Sequence, residues 1–94
     1  MAFSLKLPEP WASQGWKVKI RDDERCETPH ATVLRKWLGW RLSLRTPEFL
    51  DSEPDPREVP APLTVLVWRE RERLRAEWNR MYPENPVFST REPA

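Results

Sequence analysis

The chain has 94 residues, of which 38% are hydrophobic and 33% charged. That is one domain with one small core, since a chain this short buries only about 60 to 65% of the surface it exposes when unfolded, and it is too polar for a membrane span and too aromatic for disorder. Sixteen Lys plus Arg against fifteen Asp plus Glu leave a formal net charge of +1, so bulk electrostatics call for neither a nucleic acid nor a membrane surface, and any basic patch has to be local.

The N-terminal stretch alternates Phe3, Leu5 and Leu7 with Ser4 and Lys6. It has neither the continuous apolar run of a signal peptide nor an Arg-rich transit pattern, and residues 1–15 read as an extension or an edge strand. The sole cysteine, Cys26, cannot close an intrachain disulfide, which fits a reducing cytoplasm. Residues 16–21 (WKVKIR) alternate as a half-buried strand, with Trp16, Val18 and Ile20 inward and Lys17, Lys19 and Arg21 outward. A polar turn follows over residues 22–29, and His30 stands at the mouth of a second strand, residues 31–37, which includes β-branched Thr32 and Val33. Leu38 and Gly39 read as a hairpin turn, because glycine is free to take a positive φ. Residues 40–45 alternate cleanly, with Trp40, Leu42 and Leu44 inward and Arg41, Ser43 and Arg45 outward.

Residues 46–60 are acidic and proline-rich, a stiff connector whose Phe49 and Leu50 anchor it to the core. From Pro60 onward Leu63, Val67, Leu74, Trp78 and Met81 recur at helical spacing, which predicts one helix over 61–81 with a solvated face of Arg and Glu. Pro83 ends it, and 82–94 reads as an extended or frayed tail. The fold class is therefore α+β: a single domain, residues 1–94, with a small antiparallel meander of three or four strands packed against one C-terminal helix.

Chemistry is concentrated on the outer face of the meander. Lys17, Lys19, Arg21, Arg41 and Arg45 share that side with no acidic residue on the same strand faces, a surface for phosphates, which Arg binds through its planar fork and Lys through a mobile point charge. The bland alternative is a solvated sheet face neutralised by the acidic connector folding across it. His30 is the only histidine and so the one side chain whose ordinary titration range suits proton transfer near neutrality. With Arg41 and Arg45 holding the phosphate it would make a metal-independent ribonuclease site, the alternative being a structural histidine at a turn. Cys26 and His30 are too few soft ligands for structural zinc, so neither a metal site nor a cofactor is expected. Among the tryptophans, Trp16, Trp40 and Trp78 follow the apolar patterns and belong in the core, while Trp11, Trp37 and Trp68 fall outside them and would mark a partner surface. Gly-rich phosphate loops and nucleophile triads are missing from the sequence.

The segment TPHATV, with Pro29, His30 and Val33, followed by WRLSLR and by RAEWNRMY around Trp78, resembles a family of very small bacterial toxin-like proteins. Their signature is a strand, a polar turn, a Pro-Pro-His-Phe-His-Val-like segment, another strand and a terminal helix ending near a Trp. The likeness spans about residues 16–80, and Ala31-Thr32 replaces the Phe-His of the signature, so the second histidine is missing. The resemblance implies a toxin encoded beside a small antitoxin-like partner. The functional expectation is accordingly a cytoplasmic toxin-like component of a toxin–antitoxin pair that binds or acts on RNA. The alternative is a non-catalytic interaction module that binds a protein partner, or a second copy of itself, through its Trp- and Pro-rich surface.

Overall fold

Alternation of apolar residues builds the sheet. In the structure, a computed structural model that describes residues 2–24 and 26–88, four strands follow one another as β1 (Phe3–Leu5), β2 (Trp16–Ile20), β3 (His30–Arg35) and β4 (Leu38–Ser43). They form an antiparallel meander in the order β1-β2-β3-β4. The N-terminal segment is thus a fourth, edge strand, with Leu5 opposite Val18. Val18 pairs with Val33 and Val33 with Trp40, so one face gathers Leu5, Trp16, Val18, Ile20, Val33, Trp40 and Leu42, all buried. The rings of Trp16 and Trp40 pack 5.7 Å apart, and the Trp40 indole N–H donates to the Asp55 carbonyl at 3.0 Å, which satisfies its one polar atom.

The turn between β3 and β4 lies two residues before the expected Leu38-Gly39. Lys36 and Trp37 make it, and Lys36 accepts a left-handed φ of 56°. Gly39 instead sits inside β4 opposite Leu34, where a Cβ would lie 3.2 Å from Leu34 Cδ2 and 3.4 Å from Arg21 Nη2. The glycine is there for close approach rather than for a turn.

The helical region also departs from the single predicted helix. It consists of α1 (Ala61–Arg69) and α2 (Arg71–Met81), joined at Glu70. The Glu70 N–H is shared between the Leu66 and Val67 carbonyls, and the Arg71 guanidinium takes the Trp68 carbonyl at 3.0 Å, so a side chain intrudes on the ladder and kinks it. Across the kink Leu63, Val67, Leu74 and Trp78 remain on one buried stripe. The segment after the helix is not frayed where it is described. Tyr82 and Val87 are buried, the Asn85 carbonyl accepts from the Trp78 indole at 2.7 Å, and the Val87 N–H donates to Asn79 Oδ1 at 2.8 Å. The remainder of the predicted tail, 89–94, lies outside the described residues. No helix among the described residues is long and apolar enough to cross a membrane.

Candidate nucleic-acid interface

Register decides which cations meet. Lys19 pairs with Thr32 and Thr32 with Arg41, and alternation places Lys17, Lys19, Arg21 and Arg41 on the sheet face opposite the core. Their circumstances differ. Arg41 is engaged from two sides: its Nε and Nη2 donate to the two Asp51 oxygens at 2.7 Å each, and its Nη1 donates to Glu27 Oε1 at 3.0 Å. Asp51 gets there because the connector runs back along β4, with the Leu50 N–H donating to the Arg41 carbonyl at 2.8 Å and the Ser43 N–H to the Glu48 carbonyl at 2.9 Å. Hydrogen bonding to Arg41 holds the Asp51 carboxyl below its ordinary range, and the same bonds raise the Arg41 guanidinium further above its own. The acidic connector therefore neutralises this arginine. Arg45 is exposed, and its Nε donates to the Val87 carbonyl, which ties its head to the C-terminal segment.

Arg21 lies across the face against Gly39, where the methyl of Thr32 also approaches; the Thr32 hydroxyl is buried with no hydrogen-bond partner among the described residues. Lys17 is exposed and Lys19 half-buried. Both line a groove of about 540 Å³ between the β1 segment and β2, together with Ser4, Lys6 and Trp16. One carboxylate, Glu9, also lines it, and its Oε1 accepts the Ser13 N–H at 3.0 Å. Strand alternation alone does not reveal this groove, because Lys6 lies beyond β1, and pairing between β1 and β2 is what brings it beside Lys17.

His30 is fully buried and takes no part in that surface. Its Nδ1 donates to the Thr28 carbonyl at 2.7 Å and its Nε2 lies 3.1 Å from Glu24 Oε2, while its ring packs 5.4 Å from that of Trp78. Glu24 Oε1 accepts the Arg21 N–H at 3.1 Å, and the Glu24 N–H donates to the Tyr82 hydroxyl at 3.1 Å. The hydroxyl in turn donates to the Arg21 carbonyl. Burial raises the Tyr82 phenol above its ordinary range. These bonds bind the 21–30 loop to the end of α2. The imidazole is fully buried and bonded at both nitrogens, and Arg41 and Arg45 are held by other partners, so the structure does not bring the three residues together on one open surface. Tyr82 falls outside the helical stripe and so outside the sequence pattern; its being the chain's only tyrosine, at a helix end, is the one signal that points to it.

The three tryptophans assigned to the core by their spacing are buried, whereas of the three outside the patterns Trp37 stands free and Trp11 packs against the core. Trp16, Trp40 and Trp78 are buried, Trp11 and Trp68 are half-buried, and Trp37 at the hairpin tip is 87% exposed. A second, almost wholly apolar groove of about 350 Å³ runs between Pro47, Val59, Ala61, Val65 and Trp68. Cys26 is an exposed thiol on the 21–30 loop. Comparison of the chain with family models, with curated proteins and with solved structures finds no match in any of the three.

Proposed function

We propose that the chain is an RNA-binding protein that holds the phosphate backbone in the β1–β2 groove through Lys6, Lys17 and Lys19. The reading rests on one observation: three lysines line a single groove whose one carboxylate accepts a backbone N–H, while the arginine nearest the acidic connector is already neutralised. Arg21, whose head lies over Gly39 of β4 and not in this groove, is left out of the proposed contact. A toxin-like role beside an antitoxin partner is kept as the biological setting, on the strength of the TPHATV, WRLSLR and RAEWNRMY segments alone. Strand cleavage by His30 is not part of the proposal, since the ring is buried and bonded at both nitrogens.

The test is binding of a fluorescent single-stranded RNA at several salt concentrations. Removing one phosphate-binding cation should reduce the slope of log K against log salt by about 0.7, so Lys6→Ala, Lys17→Ala and Lys19→Ala should each flatten it. Affinity with no dependence on these lysines would refute the reading. A protein-binding surface is the second reading, favoured by the exposure of Trp37 and by the apolar groove beside Trp68. Trp37→Ala should then abolish capture of the partner and leave RNA affinity unchanged.

A further inference from the structure

The geometry points to a divalent transition-metal site formed by His30 Nε2, Glu24 Oε2 and Glu27 Oε1, separate from the lysine groove and independent of RNA binding. The three ligand atoms lie within 4.8 Å of one another. From Nε2 the distances are 3.1 Å to Glu24 and 3.8 Å to Glu27. Donors bound to one ion at about 2.0 to 2.2 Å stand about 3 to 3.5 Å apart, so Glu24 already stands at ligand spacing from Nε2, and rotation of the half-buried Glu27 side chain has to bring its oxygen in to complete the set.

The surrounding bonds aim these atoms. The Thr28 carbonyl takes the Nδ1 proton at 2.7 Å, which orients the ring and leaves Nε2 facing the carboxylates; metal-binding histidines are held by a backbone or carboxylate acceptor in the same way. The Arg21 N–H holds the other oxygen of Glu24 at 3.1 Å. Arg41 donates to Glu27 Oε1, yet a carboxylate offers about four lone-pair sites and retains capacity for an ion. One proton on Nε2 can serve only one of the two carboxylates that face it. Glu27 and Asp51 both face the Arg41 guanidinium while Glu24 and Glu27 face His30, so three carboxylates share one guanidinium and one imidazole.

Access is also present. Glu27 is half-buried and lines a pocket of about 430 Å³ with Cys26, Thr28, Pro29, Arg45, Glu84 and Asn85, so the site meets solvent on the Glu27 side. One imidazole and two carboxylates suit Zn²⁺, Mn²⁺ or Fe²⁺ and disfavour Mg²⁺ and Ca²⁺, which prefer oxygen alone. The chain order Glu24, Glu27, His30 carries the set at three-residue intervals, a pattern that counting soft ligands such as Cys26 and His30 does not detect.

Zn²⁺ titrated into the full chain by calorimetry tests this. Expected are one ion per chain, affinity unchanged in Cys26→Ser, and affinity at least about tenfold weaker in Glu27→Gln. Near-ultraviolet circular dichroism of the tryptophans checks that Glu27→Gln keeps its fold. If it does not, the Co²⁺ spectrum of the unmodified chain decides, and it should lack a thiolate charge-transfer band. The inference is overturned by an absence of saturable one-to-one binding, by binding that disappears in Cys26→Ser, by full affinity in folded Glu27→Gln, or by a cobalt–thiolate band.

Discussion

The two faces of the sheet obey different rules. On the core face, residues two apart in one strand meet their like in the next, and Val18, Val33 and Trp40 pack with Trp16 and Leu42 because alternation and register leave no other arrangement. On the outer face the side chains also alternate, but their state is set by segments distant in sequence: Asp51 and Glu27 neutralise Arg41, Val87 holds Arg45, and Arg21 lies over Gly39. Periodicity therefore reads the first face and fails on the second. A cation's exposure and pairing depend on where loops return, which no two-residue repeat encodes.

The largest effect expected is on the core face. Trp78→Ala removes a fully buried ring that packs on His30 and Tyr82, and chemical denaturation should show a loss of about 3 to 5 kcal/mol, enough to unfold many small domains. A near-zero cost would mean that the core face is not what holds the fold. Next comes the polar end of the sheet. Tyr82→Phe leaves the Glu24 N–H and the Arg21 carbonyl without that partner, and urea unfolding should register a loss of about 1 to 3 kcal/mol.

The Arg41–Asp51 pair supplies a pH test of the outer face. The folded-state pKa of Asp51 lies below its unfolded value, so the pair contributes stability that is fully present above the unfolded value, about pH 4, and is lost as pH falls through the folded value. The stability gap between the unmodified chain and Asp51→Asn should accordingly narrow on acidification from about pH 6 to about pH 2. A constant gap would indicate that the two residues do not pair in solution. The smallest effect belongs to Thr32, whose buried hydroxyl has no hydrogen-bond partner among the described residues. Thr32→Val should leave stability unchanged or raise it by up to about 1 kcal/mol in thermal unfolding, and a marked drop would reveal a bond to that hydroxyl.

Much of the fold is legible in the sequence. The strand faces, the helix stripe and the three core tryptophans follow from apolar spacing, whereas the N-terminal alternation leaves an extension and an edge strand both open and pairing with β2 makes Phe3–Leu5 the strand. The hairpin turn is not, because a glycine suggests positive φ, whereas here Lys36 takes it and Gly39 makes room for Leu34 and Arg21. The helix kink depends on where one arginine side chain reaches, and the docking of residues 84–88 on the bonds that Trp78 and Asn79 offer to the chain end, neither of which spacing encodes. At the candidate site the residue types are visible but not their allegiance. His30 stands out as the only histidine, and its burial against Glu24 and Trp78 arises from a loop and a helix end that meet only in the folded chain.

In the proposed function, the groove lysines, and not the neutralised Arg41, present positive charge to RNA. The salt slope of single-stranded RNA binding, compared between Lys17→Ala/Lys19→Ala and Arg41→Gln, tests this most directly. The double lysine variant should lower the slope by about 1.4 and Arg41→Gln should leave it unaltered, whereas a slope that falls in Arg41→Gln and persists without the lysines would contradict the assignment.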